Sequence, residues 1–289
     1  MLSPSGASST SLSFKICDSQ SFDVKMLSSP LRTFSTLSYN SRHLRLRLRL
    51  RRPNPSLSFR PFSVNMSAAA HTQPIEHVVL FKVKDGLDSS KVNDMLTGLN
   101  GLISLDQVLH LTAGPILRNR SSSSTFTHLL HSRYPSKEDL SIYSAHPAHM
   151  NVVKQFVLPI CDDIMAVDWV ADALKGPVVA PPGSALRLTL LKLKENLGEE
   201  VKSEILEVIA GLREKLGPNV QLTVGENFSP ARAKGFSIAS IAIFPGPNEL
   251  EAAASDQEMV ELQKEKVREY LESVIVVDYV VPPPQTASL

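Results

Sequence analysis

Cysteine is scarce in this chain. The 289 residues hold two, Cys17 and Cys161. Cys17 falls in an N-terminal stretch of distinct composition, so the body keeps only Cys161. That excludes an internal disulfide there, and a cysteine-based zinc site with it. Long apolar runs are also missing. None approaches 18 residues, so no segment reads as a spanning helix and no membrane partner is expected. Net charge is only +1, yet the balance hides a split. Residues 1–75 carry ten Lys and Arg against two acids, Asp18 and Asp23; residues 76–289 carry 20 against 27. An acidic body gives no electrostatic reason to bind nucleic acid. Hydrophobic residues make up 43% of the chain, as a soluble globular fold requires.

What is present begins with the basic N-terminus. Residues 1–65 are rich in Ser and Arg, nearly free of acids, and lack a secretory apolar stretch, which is the composition of a targeting leader. Within it, "RHLRLRLRLRR" (42–52) alternates Arg and Leu, and a nucleic-acid-binding ribbon is the rival reading. Met66 opens "MSAAAHTQP" just before the first strand, and a start there omits the leader. The chain ends Ala287-Ser288-Leu289, a relative of the Ser-Lys-Leu peroxisomal signal. The expected addresses are the chloroplast from Met1 and the peroxisome from Met66.

The body repeats itself. "VVLFKVKDGL" (78–87) aligns with "LTLLKLKENL" (188–197) at an offset of 110. "FTHLLHSRYP" (126–135) aligns with "FSIASIAIFP" (236–245) at the same offset, and Asp168 and Val170 with Asp278 and Val280. "LTAG" (111–114) matches "LTVG" (222–225) at 111. The domains expected are therefore 76–170 and 186–281, joined by a Pro/Gly linker at 171–185 and followed by a tail at 282–289. In each copy a strand alternates with period two, and His77, Val79, Phe81 and Val83 share a face. A helix follows, with Val92, Met95, Leu96, Leu99 and Leu102 at helical spacing, and Val201, Ile205, Leu206, Ile209 and Leu212 in copy two. Two strands, helical segments at about 137–161 and a closing strand complete a β-α-β-β-α-β order. The fold class is α+β: two tandem ferredoxin-like domains, each an antiparallel sheet with helices on one face. The strands are apolar on both faces, so the two sheets are expected to cover each other as a barrel.

"YSAHPAHMNVV" (143–153) gathers Tyr143, His146 and His149 within seven positions, in a chain of eight His and five Tyr. Pro147 cannot donate an amide, so one helix should span 137–144, break near 144–146, and a second start at Pro147. Ser136 or Asp139 is the candidate cap. His can act as general base or acid near neutral pH, and Tyr as its proton partner. Two His at i, i+3 without a nearby carboxylate or Cys make an incomplete zinc site.

"HVVLFKVKDGLD", "YSAHPAH" and "VDWV" together resemble the stress-responsive dimeric α/β-barrel family, which includes a plant heat-stable protein and olivetolic acid cyclase. The resemblance covers 76–170, and 186–281 more loosely. It implies that two copies pair, here as an intramolecular pseudo-dimer within a monomer. It implies His149 as base and Tyr143 as its proton partner in an aldol-type cyclisation, with His77, His128 and His146 beside them and Val79, Phe81, Leu96, Leu99 and Leu130 lining the pocket. Leu99 and Leu130 depart from the cyclase, which places the difference in the pocket wall. No cofactor is expected beyond a weak magnesium ion held by main-chain oxygens near Ile103–Asp106. In copy two, Tyr143, His146, His149, His77 and His128 become Ala253, Asp256, Met259, Arg187 and Ile238. Three functions stay open: binding of a small apolar or aromatic metabolite in the first domain, a cofactor-independent cyclase, or a structural interaction module.

Overall fold

Alternation in the first strand sets the architecture. In the computed structural model, which describes residues 73–121, 124–172, 174–255 and 267–283, β1 (Ile75–Val83) turns two different faces to two different layers. Ile75, Phe81 and Val83 pack on the helices of the first copy; Val78 and Leu80 pack on the second copy. The N-terminal stretch 1–65 expected to be a targeting leader, the Ser288–Leu289 tail and the correspondences to Asp256 and Met259 lie outside the described residues.

The first copy runs β1, α1 (Ser89–Gly101), β2 (His110–Pro115), the short β3 (Arg118–Asn119), β4 (His128–Tyr134), α2 (Lys137–Ala145), α3 (Pro147–Val152) and β5 (Cys161–Val170). The second runs β6 (Ala185–Leu193), α4 (Glu199–Leu216), β7 (Gln221–Glu226), β8 (Ile238–Phe244), α5 (Pro247–Ala254) and β9 (Leu271–Val280). One sheet has the order β2-β4-β1-β5 and the other β3-β9-β6-β8-β7, every pairing antiparallel. Both are ferredoxin-like, as the order of elements requires. Local signals mark the helix ends. Asp88 caps α1 by accepting from Ser90 N at 2.9 Å. α4 opens on Glu199 and Glu200 and closes on Arg213 and Lys215, complementing its dipole.

The inner faces of the two sheets form one core. Leu80, Leu129, Met165 and Trp169 from the first meet Leu188, Ile241, Val277 and Tyr279 from the second. The helices cover the outer faces with separate apolar layers. The copies also trade backbone. β3 belongs to the first copy but pairs with β9, and Phe228 N of the second donates to Asp168 O of β5 at 3.0 Å. This reciprocal exchange covers two sheet edges that would otherwise present unpaired amides.

The repeated "LTAG"/"LTVG" acquires a physical reason. A Cβ on Gly225 would sit 2.9 Å from Trp169 Cδ1 and 3.1 Å from Val170 O. A Cβ on Gly114 would sit 3.2 Å from Tyr279 Cε2. Each glycine leaves room for the aromatic that ends the other copy's last strand, so "VDWV"/"VDYV" and the two glycines are halves of one contact.

Candidate functional site

Strand register builds the first part of the site. His77 of β1 lies directly opposite Asp168 of β5, the spacing at which cross-strand side chains meet. Their side chains join at 2.5 Å between Nδ1 and Oδ1, both nearly buried. Burial acts to raise the Asp168 pKa, but the His77 charge and hydrogen bond, Ser229 and Arg232 together hold it below the ordinary range. Those last two residues come from the loop after β7, and Asn227 of that loop accepts from Asp168 N at 3.0 Å. The second copy therefore helps to hold a carboxylate belonging to the first.

Three rings continue from this pair. Tyr134, at the end of β4, lies 6.0 Å centroid to centroid from His77 and 5.0 Å from Tyr143. Tyr143 lies 4.6 Å from His149. The Tyr134 hydroxyl meets Ser132 Oγ at 3.0 Å. Tyr143 is turned inward with Leu140 on α2, a helix capped by Ser136, which accepts from Asp139 N at 3.1 Å. His149 sits on α3, where its Nδ1 meets the Ser144 carbonyl at 3.0 Å. A carbonyl only accepts, so Nδ1 carries the proton and Nε2 presents its lone pair. Burial lowers the His149 pKa, outweighing the Ser144 bond that raises it. Burial pushes the Tyr143 hydroxyl up to about 12 and the Tyr134 hydroxyl higher still. The site thus holds a neutral imidazole with an available lone pair beside a phenol that keeps its proton, the polarity needed for a base and an oxyanion donor.

The structure separates the other residues. His146 turns away from the rings and caps α3, its Nδ1 accepting from Ala148 N at 3.2 Å. The break at Pro147 is the cause, since it undoes the shared face that unbroken helical spacing implies. His128 shares the helix-facing side of the sheet with His77 but lies opposite Phe81, four strand positions away, roughly 13 Å at strand rise. It meets Thr127 Oγ1 at 2.9 Å. Tyr143 and His149 touch ring to ring, and no hydrogen bond joins their side chains among the described residues. Phe81, Leu99 and Leu130 form closed core at 2–3% exposure, with Val79 and Leu96 at its margin. An open apolar cavity of about 520 Å³ lies instead in the second copy.

The magnesium expectation concerns main-chain oxygens near Ile103–Asp106, where carbonyls also serve local turns. The carbonyl of Gly101 accepts from Ser104 Oγ, that of Leu102 from Leu105 N and that of Leu105 from Val108 N.

Sequence reading passed over a second polar cluster, on the inner face. Glu76, His131 and Arg133 are wholly buried between the sheets. Arg133 Nη2 donates to Glu76 Oε1 at 2.9 Å, His131 Nε2 meets Oε2 at 2.7 Å, and Thr223 of the second copy donates to Oε1 at 3.0 Å. Arg133 Nη1 donates to Val178 O at 2.6 Å. Burial opposes ionisation of Glu76, yet Arg133 and His131 hold its pKa far below the usual value. The cluster ties the first copy to the linker and to β7.

With this geometry in view, the comparisons are specific. The model of the "Stress responsive A/B Barrel Domain" matches twice, at 75–171 and 186–281. One stress-response A/B barrel domain-containing protein of Arabidopsis thaliana is 55% identical over 89% of this chain and 94% of its own length. A second stress-response A/B barrel domain-containing protein of the same plant is 50% identical over 72% of this chain and 97% of its own. The crystal structure of an anthrone oxidase-like protein is similar with a TM-score of 0.52 and 16% identity, covering 75% of this chain and 97% of that one, a likeness of fold alone. The chain belongs to the stress-responsive A/B barrel family, as a tandem member carrying two copies of the domain.

Proposed function

We propose that the protein binds a small apolar or aromatic metabolite in its first copy, at the cluster of His77, Tyr143 and His149. The observation that carries this reading is the asymmetry of the repeat. Copy two folds into the same frame with Arg187, Phe244 and Ala253 where copy one has His77, Tyr134 and Tyr143. The frame does not need the rings, so a requirement of folding is a poor reason for them. Phe81, Leu99 and Leu130 are closed core behind the rings, so apolar contact falls to the rings themselves and to the partly buried Val79 and Leu96, and two neutral polar tips supply orientation.

A cofactor-independent cyclase or isomerase acting on a β-keto compound is the second reading, and the His149 tautomer favours it. Nε2 would take a proton next to a carbonyl while the Tyr143 hydroxyl donates to the developing enolate oxygen. A purely structural role fits least well, since copy two dispenses with the cluster. Mass spectrometry of molecules extracted from the purified full-length protein tests the proposal. The expected result is a small apolar or aromatic compound bound by the wild-type chain and absent from His149→Met, Met being the copy-two residue. Turnover of β-keto thioesters by the wild-type chain would select the enzymatic reading. Neither compound nor turnover would leave the structural role.

A further inference from the structure

The cavity of about 520 Å³ in the second copy has a cause in the repeat. It opens between the outer face of the sheet and α4, beside the end of α5. At the matching places copy one carries Phe81, Leu130 and Tyr143; copy two carries Leu191, Ser240 and Ala253, each smaller. Among the described residues the strands, α4 and α5 repeat the frame of copy one while side-chain volume is withdrawn, so space remains. Its volume falls within the range of small-molecule sites, about 300–1,000 Å³. Its walls are apolar, with Ile209, Leu212, Leu222 and Val276 among them.

Polar groups gather on its floor. Arg187 stands where copy one has His77 and lies opposite Asp278 on β9. Its Nε donates to Asp278 Oδ1 at 2.8 Å and its Nη2 to Oδ2 at 3.1 Å, while Nη1 has no partner among the described residues. Asp278 is already claimed by a second cation, because Arg120 Nε of the first copy donates to its Oδ2 at 2.6 Å. Two guanidinium groups thus share one buried carboxylate. Glu251 is shared in the same way, by Arg118 at 2.5 Å and Arg120 at 3.0 Å, so three guanidinium groups meet two carboxylates. The Thr189 and Ser240 hydroxyls also line the cavity without a hydrogen-bond partner among the described residues. An apolar chamber with Arg187 and free hydroxyl donors at its polar end, and Arg268 also in its lining, is complementary to a single anion on an apolar body.

We infer that the second domain is a separate binding site for an amphiphilic monocarboxylate, of the medium-chain fatty-acid type, with the carboxylate on Arg187, Thr189 and Ser240 and the chain against the α4 wall. This site is distinct from the first-copy cluster and does not depend on it.

Isothermal titration of the full-length chain with dodecanoate, and with dodecan-1-ol as the neutral chain of equal length, tests the inference. Wild-type protein should take up one dodecanoate. Arg187→Met should weaken dodecanoate by at least about tenfold, as loss of a charge-assisted contact does, and leave dodecan-1-ol unchanged. Ala253→Tyr restores the ring that copy one has at this place and should abolish both. Ser240→Leu is the second filling variant if Ala253→Tyr fails to fold. His149→Met should bind dodecanoate as the wild type does. No binding by the wild-type chain, equal binding by Arg187→Met and both filling variants, or loss in His149→Met with retention in Arg187→Met would each overturn the inference.

Discussion

Replacing Glu76 by Leu should be far more damaging than replacing the whole buried cluster. Leu is the residue copy two has at this position, Leu186. The single variant removes the carboxylate that faces Arg133 Nε at 3.1 Å, Arg133 Nη2 at 2.9 Å and His131 Nε2 at 2.7 Å. Arg133 then stays fully buried, with the Val178 and Pro177 carbonyls and Gln221, all neutral, to receive its protons. An unpaired buried charge costs about 3–5 kcal/mol, a large part of the roughly 5–15 kcal/mol that holds a domain folded. The triple variant Glu76→Leu, His131→Ile, Arg133→Ile installs the residues of copy two throughout, leaving no charge to strand. Exchange of a buried ionic group for packed apolar residues is often neutral or stabilising. Allowing for the void where Arg133 is shortened, the triple variant should exceed the single one by at least about 2 kcal/mol. Urea denaturation at pH 7 gives both values.

The same measurement at lower pH supplies a second arm. Burial lowers the His131 pKa from 6.5, and that of His110 to about 3. The unfolded chain binds these protons while the folded chain does not, so stability is complete above pH 6.5 and falls as the pH drops toward the folded values. Glu76 is depressed as well, and its contribution is lost only below the ordinary Glu value of 4.5. Between pH 6 and 5 the triple variant, which lacks His131, should lose stability less steeply than the wild type, by up to about 1.4 kcal/mol per pH unit. A triple variant no more stable than Glu76→Leu, or a single variant that costs nothing, would refute the reasoning.

Three further outcomes are expected. Gly225→Ala should cost about 1–3 kcal/mol, because its Cβ meets the buried Trp169 and the Val170 carbonyl, and Gly114→Ala less, because the Tyr279 ring can give way; thermal denaturation compares the two. Light scattering of the full-length chain should give the mass of one chain at all dilutions, since the sheet pairing is satisfied within it; a persistent doubled mass would mean that copies pair between chains. We also propose plastid and peroxisomal pools; masking Ser288–Leu289 with a C-terminal tag should remove the peroxisomal signal, and its survival would reject that address.

The barrel was legible because each signal is local or repeats. The alternation of β1, the stripe from Val92 to Leu102 and the offset of 110 all report periodicity, which a sequence displays directly. The break at Pro147 could be read for the same reason. Contacts decided by register and by the partner copy were hidden. Asp168 stood out as a repeat anchor, yet its meeting with His77 depends on the alignment of β1 with β5. Glu76 and Arg133 looked like ordinary polar positions beside an apolar face; only the second sheet buries them. His146 carries a motif-like position and serves as a cap, because a proline next to it redirects the chain. The second-copy cavity was concealed by the same substitutions that made this copy look degenerate, since loss of Tyr143 at Ala253 removes a ring and creates space at once.

The central claim is that Tyr143 and His149 form a ligand site rather than a packing element, and His149→Met tests it most directly. The variant keeps similar volume and adopts the copy-two residue, so its unfolding free energy should stay within about 1 kcal/mol of wild type. The compound that co-purifies with the wild-type chain should no longer bind when titrated back into the variant. A variant that unfolds under mild denaturant while still binding that compound would contradict the account and make "YSAHPAH" a structural element.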